Sequence, residues 1–298
     1  MRRKKWMSIS IVIMLFMLTL AGCSSKEGSN STNKKIKIVA AENFYGEIAE
    51  KVGGDYVEVQ SIINSPTQDP HAYEATIKDS KAVADAQLVI YNGIGYDSWM
   101  EKIVKSNTSS SKQTIAVATD IANKKEGDNV HVWYDPTVMP KLAEKVAEDL
   151  AAIDPQHANE YRQNAKAYLT EYAPLQDKIE KLKQPSITLD ASETIFNYMA
   201  EALQYKIQNT KFAEAVTEET DPSPADILAI QKDMKEKKIT FFVNNTQNSK
   251  PTVDNLLNLA KETGIPVVNV TETKPAGKTY IQWMTDQLDQ IEKAVQAK

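Results

Sequence analysis

Cysteine is almost absent from this sequence, since Cys23 is the only one among 298 residues. A lone cysteine excludes an internal disulfide, and it also excludes a zinc site built from several thiolates. Histidine is scarce as well, with three residues in the whole chain: His71, His131 and His157. Any metal site in this protein must therefore draw on these histidines, on carboxylates and on backbone oxygens.

Several motifs that would identify an enzyme are also missing. The sequence has no Gly-x-x-x-x-Gly-Lys phosphate loop, no Gly-x-Ser-x-Gly nucleophile elbow and no His-Glu-x-x-His metal pair. The net charge of −5 makes nucleic acid an unsuitable partner, because such partners require a basic surface. A content of 42% hydrophobic and 25% charged residues is typical of a globular protein, and the length allows one large domain or two lobes.

The amino terminus has the three parts of a secretory signal. Four basic residues (2–5) precede the apolar run Ile9–Leu20, which is shorter than the roughly 20 residues that a membrane crossing takes. The run ends in Leu-Ala-Gly-Cys, which resembles a bacterial lipobox, where the cysteine is lipidated and becomes the first residue. We predict a signal peptide over residues 1–22, a palmitate-bearing Cys23 and attachment to the extracytoplasmic face of the cell membrane. The alternative is an ordinary cleaved signal that contains a cysteine.

The remaining chain alternates between strand-like and helix-like segments. Residues 23–35 are rich in Ser, Asn and Lys and predict a flexible tether. The alternation over 36–153 and 185–298 predicts an α/β fold with two lobes, each a mostly parallel sheet flanked by helices. Residues 154–184 predict one long rigid helix that joins the lobes, with Asp154 as its N-cap and Pro155 in its first turn.

The individual segments follow from apolar periodicity and turn residues. Predicted strands are Ile36–Ala40, Val57–Ile63, Leu88–Tyr91, Thr114–Ala118, Ile187–Ala191, Thr240–Val243 and Val267–Val270. Predicted helices are Phe44–Val52, Ile77–Ala86, Pro155–Lys183, Ile195–Leu203, Ala225–Lys237, Val253–Thr263 and Thr279–Ala297.

Four residues are candidate metal ligands because of where they follow predicted strands. In parallel α/β sheets, ligands gather beyond the carboxyl ends of the strands. His71, Glu193 and Glu272 each come shortly after such a strand, and His131 lies in the loop before Asp135-Pro136. Taken singly, each is better explained as a polar loop residue or a charge at a helix start, and His157 as part of a solvated helix face. Together, two imidazoles and two carboxylates suit a divalent cation of intermediate hardness.

Several separated segments, in order, resemble the solute-binding lipoproteins of bacterial metal ABC importers (zinc/manganese type), called cluster A-I or the TroA-like superfamily. They are Ala40–Tyr45, Asp69-Pro70-His71, Ala84-Asp85-Ala86 with Tyr91-Asn92-Gly93, His131–Pro136, Glu193–Phe196 with Tyr198, and Val270–Thr273 with Tyr280. The resemblance covers nearly the whole mature chain. It implies two lobes joined by a rigid helix, a metal ion bound between them, and delivery of that ion to an ABC permease with its cytoplasmic ATPase. It implies a binding protein rather than an enzyme, and we expect a monomer.

The resemblance also implies a ligand set. The family's two histidines correspond to His71 and His131, and its third ligand, which is Glu in manganese-type members, corresponds to Glu193. The fourth ligand is usually Asp, whereas this chain has Glu272, and the loop Asn123–Asn129 lacks the histidines of many zinc-type members. With bidentate carboxylates the set supplies six donors, which favours Mn²⁺ over Zn²⁺ as cargo, although Zn²⁺ generally binds such sites more tightly. The alternatives are a metal-dependent hydrolase, which needs an open coordination position and a base, and a surface adhesin with incidental metal binding.

Overall fold

The computed structural model describes residues 35–68, 70–107, 112–248 and 250–296. The predicted signal peptide, Cys23 and the tether up to residue 34 lie outside these ranges. Among the helices within them, none is both long enough and apolar enough to cross a membrane.

The first sheet contains four parallel strands, β1 (Ile36–Glu42), β2 (Val57–Ile63), β3 (Leu88–Tyr91) and β4 (Gln113–Ala116), in the order β2-β1-β3-β4. Its helices are α1 (Asn43–Gly53), α2 (Ile77–Asp85) and α3 (Ser98–Ser106). Both faces of β1 are buried, because Ile38 and Ala40 pack on one side while Val39 and Ala41 pack on the other. The predicted bounds of β2 and β3 are confirmed, whereas the strand predicted to reach Ala118 ends at Ala116 because residues 117–121 form a π-helical turn.

Two antiparallel helices follow, α4 (Val138–Ile153) and α5 (Ala158–Leu182). The helix predicted from Pro155 starts with a 3-10 turn over Pro155–His157 and becomes α-helical at Ala158. With 25 residues, α5 is about 38 Å long at 1.5 Å per residue. It packs against α1 and α4, and also against the last helix of the chain. The buried residues of α5 recur alternately after four and three positions and so lie on one face of the helix: Tyr161, Ala165, Tyr168, Tyr172, Leu175 and Ile179.

The residues before α5 differ in detail from the prediction. Asp154 takes the N-cap position, but its Oδ2 accepts hydrogen bonds from the side chains of His157 (2.5 Å) and Tyr161 (2.9 Å). His157 is half-buried and stacks on Tyr56 with 3.8 Å between ring centroids, so the predicted solvated face is wrong. In the loop before α4, Asp135 accepts a hydrogen bond from the Thr137 backbone N–H, and α4 begins at Val138.

The second sheet repeats the arrangement of the first. Its strands are β5 (Thr188–Ala191), β6 (Lys206–Ile207), β7 (Phe241–Asn245) and β8 (Val267–Val270), all parallel, in the order β6-β5-β7-β8. The predicted bounds of β8 are confirmed, and β6 was not predicted. The helices of this lobe are α6 (Asn197–Ala202), α7 (Thr210–Thr217), α8 (Pro224–Lys235), α9 (Pro251–Thr263) and α10 (Tyr280–Gln296).

The two lobes share one hydrophobic core. A single cluster of buried side chains includes β1 and α1 of the first lobe, α4, α5, and β5 and α10 of the second. Aromatic rings lie at the junction, where the Phe44 centroid is 5.1 Å from that of Trp133 and 5.8 Å from that of Trp283. A largely buried ion pair with 2.7 Å between Lys274 Nζ and Glu47 Oε2 also links the lobes. The lobes are therefore held together by side-chain packing as well as by α5.

Candidate metal centre

The strand orders explain where polar side chains gather. In each sheet the order reverses beside the first strand of the lobe, which opens a crevice at the carboxyl ends of β1 and β3 and of β5 and β7. These ends face a shared cavity of about 640 Å³ between the lobes. The lining includes side chains from both lobes, among them Pro66, His71, His131, Glu193, Asn245, Gln247 and Glu272.

Three of the four predicted ligands come together in this cavity. His71, in the segment after β2, His131, before a 3-10 turn over Val132–Tyr134, and Glu272, after β8, each place one ligand atom within 4.8 Å of the others. Nε2 of His71 lies 3.2 Å from Oε1 of Glu272, so groups from opposite lobes meet at contact distance. The Tyr96 ring stands edge-on to His71 with 4.7 Å between centroids and forms one wall of the site.

His131 is prepared to act as a neutral nitrogen donor. Its ring is buried, at 2% exposure, and burial lowers the pKa of the imidazole to about 4. Nδ1 lies 2.7 Å from Oδ1 of Asn129, an acceptor, so the proton resides on Nδ1 and the lone pair on Nε2. Asn129 is itself fixed, because its Nδ2 donates to the carbonyl of Thr194 in the second lobe at 2.7 Å. The Tyr198 hydroxyl donates to the carbonyl of Asn129 at 2.8 Å.

Glu272 is held in the charged form. Burial alone would raise the pKa of its carboxyl, but the neighbouring His71, His131 and Tyr96 outweigh burial and lower the pKa below its ordinary value. A carboxylate and two imidazoles facing one another supply the nitrogen and oxygen donors that divalent transition metals accept.

Glu193 lines the same cavity but does not belong to the group of three. The side chain is 5% exposed, and its Oε2 accepts a hydrogen bond from Asn245 Nδ2 at 2.7 Å. Its Oε1 accepts a hydrogen bond from Asn248 Nδ2. Burial raises the pKa of Glu193, the bond from Asn245 opposes this effect, and the charge of Glu272 adds to it. A cation placed between the two carboxylates would favour ionisation of Glu193.

A third acidic side chain lies near the site, at the end of β1. Glu42 is fully buried, and neither of its carboxylate oxygens accepts a hydrogen bond within the part of the chain that the structure describes. Burial raises the pKa of Glu42 well above its ordinary value, and the negative charges of Asp97 and Glu272 act in the same direction. Glu42 was not among the candidate site residues from the sequence, although it lies at the carboxyl end of a strand, where ligands gather in such sheets.

The amide residues around the cavity were also missed from the sequence. Asn129, Asn245, Gln247 and Asn248 hold the histidine, the carboxylates or their loops in place. For Asn245, Gln247 and Asn248 the sequence offered one signal, the amide-rich run Asn244–Asn248, which begins where a predicted strand ends.

Comparison with known proteins shows the family to which the chain belongs. The sequence profile of the periplasmic zinc-uptake complex component A (ZnuA) matches residues 38–294. The chain belongs to this family. Its relatives are named as substrate-binding lipoproteins of ABC transporters, which confirms the resemblance and the expectation of a binding protein rather than an enzyme.

Two curated relatives of this ZnuA-family chain carry manganese in their names. The manganese ABC transporter substrate-binding lipoprotein PsaA of Streptococcus pneumoniae is 26% identical over 304 residues, covering 94% of this chain and 96% of the relative. The manganese-binding lipoprotein MntA of Halalkalibacterium halodurans is 27% identical over 301 residues, covering 96% and 97%.

A solved structure shows the same fold. The periplasmic zinc binding protein TroA of Treponema pallidum superposes with a TM-score of 0.71 at 20% identity and covers 88% of this chain and 99% of its own. The predicted α/β architecture with two parallel sheets is thereby confirmed.

Proposed function

We propose that this protein is an extracytoplasmic lipoprotein that captures a divalent transition metal ion between its lobes. It then delivers the ion to an ABC permease with its cytoplasmic ATPase. The main observation in support is that His71, His131 and Glu272 each place one ligand atom within 4.8 Å of the others in the cavity between the lobes. Family membership and the names of the relatives support the transport role. In this proposal the mature chain is a monomer anchored through Cys23, with lobes over 36–153 and 185–298 joined by the helix region 154–184.

We propose Glu193 as the fourth ligand. It is buried beside the other three and lines the same cavity. Its present bonds to Asn245 and Asn248 must loosen for a second oxygen to reach the ion. If each carboxylate binds the ion through one oxygen, the two histidines and two carboxylates supply four donor atoms. If both carboxylates bind through both oxygens, the site supplies six.

We propose Mn²⁺ rather than Zn²⁺ as the cargo. Two of the four proposed ligand residues are carboxylates, and oxygen donors are the ligands that Mn²⁺ accepts well. Glu272 provides a longer side chain than the Asp that the family resemblance implies, and two relatives are named for manganese. Zn²⁺ binds most such sites more tightly than Mn²⁺ does. Which metal ion the protein carries in the cell therefore depends on the availability of each ion as well as on affinity.

The test is elemental analysis of the protein purified without chelator and then exposed to equal Mn²⁺ and Zn²⁺. We expect one tightly held equivalent of metal in the wild type and none in His71→Ala or Glu193→Ala. His157→Ala is the matched control, because it removes the one histidine outside the site and should retain the full equivalent. A wild type without stoichiometric metal would refute the proposed function, and binding unchanged in both site variants would refute the ligand set.

A further inference from the structure

One short loop touches three segments that carry proposed ligands. It spans residues 245–248 and starts at Asn245, the last residue of β7. Nδ2 of Asn245 donates to the Glu193 carboxylate at 2.7 Å, and Oδ1 of Asn245 accepts the backbone N–H of Gln247 at 3.0 Å. The second bond fixes the start of the Gln247 side chain relative to Glu193.

The amide group of Gln247 uses its full hydrogen-bonding capacity. Its Oε1 accepts the backbone N–H groups of Glu272 at 2.6 Å and Thr273 at 2.9 Å. Its Nε2 donates to the carbonyl of Pro66 and to Oγ1 of Thr273, both at 2.6 Å. A glutamine amide has two acceptor and two donor positions, and all four are occupied here.

One of these bonds, from Nε2 to the Pro66 carbonyl, crosses from the second lobe to the first. Pro66 belongs to the segment between β2 and α2 that carries His71, whereas Glu272 and Thr273 follow β8 in the second lobe. The two segments also touch directly, since Thr273 Oγ1 donates to the Pro66 carbonyl at 3.4 Å and His71 Nε2 lies 3.2 Å from Glu272 Oε1. Gln247 thus links the backbone of the His71 segment to the backbone of the Glu272 segment through a single side-chain amide.

We propose that Gln247 is a positioning residue that keeps these two segments together and thereby sets how slowly a bound metal ion leaves. The inference rests on the proposed function. An ion held by His71 and Glu272 leaves when these ligands separate, and separation of their segments breaks the bond from Gln247 to the Pro66 carbonyl. Capture does not depend on them in the same way, because mutational changes within one binding site act mostly on dissociation.

The experiment compares the same substitution at two glutamines. Gln247→Met keeps the length of the side chain but removes the amide. Gln290→Met is the control, because Gln290 also bonds backbone in this lobe, donating to the Asn269 carbonyl and accepting its N–H, both at 3.1 Å. The full chain, purified in detergent, is loaded with Mn²⁺ or Zn²⁺ and mixed with a chromogenic chelator in a stopped-flow instrument. Association rates and thermal unfolding without metal are measured on the same proteins.

We expect release from Gln247→Met to be roughly 5- to 30-fold faster than from the wild type, which is the effect of losing one or two net hydrogen bonds. Association should change less than twofold, and Gln290→Met should release metal at the wild-type rate even if it loses similar thermal stability. Gln247→Asn, whose amide is one methylene too short to span both segments, should lie between wild type and Gln247→Met.

Equal release from wild type and both Gln247 variants would overturn the inference while leaving the proposed function intact. Equal acceleration in Gln247→Met and Gln290→Met would also overturn it, since the effect would then reflect general loss of stability. A wild type that loads no metal would refute the proposed function itself, and the inference with it.

Discussion

Asn129 offers a sharp test of how the centre is organised, because it contacts His131 without facing the ion. Its Oδ1 lies 2.7 Å from Nδ1 of His131 and also accepts the backbone N–H of His131 at 3.1 Å. The side-chain contact holds the ring in one orientation and keeps the proton on Nδ1. Replacing Asn129 by Ala removes the acceptor, so the buried imidazole can rotate or change tautomer.

The expected loss follows from the role of such partners in other metal sites. Removing the group that orients a ligating histidine typically costs roughly 10- to 100-fold in metal affinity. That range corresponds to about 1.4 to 2.7 kcal/mol of binding free energy. Asn129→Asp should lose less, because its carboxylate still accepts the Nδ1 proton, even though it no longer donates to the Thr194 carbonyl.

The assay is competitive titration of Mn²⁺ and of Zn²⁺ against a chelator of known affinity, at fixed pH. Thermal unfolding without metal serves as the control for general damage. Wild-type affinity in Asn129→Ala would refute the argument that this bond prepares His131. An equal loss in Asn129→Ala and Asn129→Asp would mean that the bond to Thr194, rather than the orientation of the ring, is responsible.

Two further predictions concern buried ionisable groups. The pKa of His131, about 4, lies below the value of about 6.5 in an unfolded chain, so its contribution to stability is complete above pH 6.5 and is lost as the pH falls towards 4. In urea unfolding of the metal-free protein, the free energy of unfolding should fall by about 3 kcal/mol over this interval, and this loss should be absent in His131→Asn. Equal pH dependence of unfolding in the two proteins would contradict the lowered pKa of His131. For Glu42 the pKa is raised by burial, so ionisation favours the unfolded state as the pH rises above about 4.5. Glu42→Gln should therefore increase the stability of the metal-free protein at neutral pH, and a stability decrease at pH 7 in the same urea assay would show that the carboxylate has a stabilising partner.

Three strands have the bounds that the sequence predicted, Val57–Ile63, Leu88–Tyr91 and Val267–Val270. Leu88–Tyr91 is a continuous apolar run, as expected of a buried parallel strand, whereas Val267–Val270 includes the exposed Asn269. Strand β6 escaped prediction because two residues, Lys206 and Ile207, carry no periodic signal. Its pairing with β5 is a tertiary contact that only the assembled lobe provides.

The candidate site was predictable to the extent that strand ends determine it. His71, Glu193 and Glu272 were found because the carboxyl ends of parallel strands converge, and the structure places all three at one cavity. The supporting amides were not predictable in this way. Asn129 lies 64 residues before Glu193 in the sequence, and its role depends on a bond to Thr194 that forms only when the lobes pack.

The relative strength of the contacts between the lobes indicates which parts move first when a metal ion binds or leaves. Separating the lobes as rigid bodies would expose Phe44, Trp133 and Trp283, which pack together in the shared core. Each such side chain represents roughly 2 to 3 kcal/mol of burial or more. The ties between the segments that carry His71 and Glu272 include hydrogen bonds of Gln247, each worth about 1 kcal/mol. Local opening of these segments therefore requires much less free energy than a hinge motion of the lobes, and release should begin there.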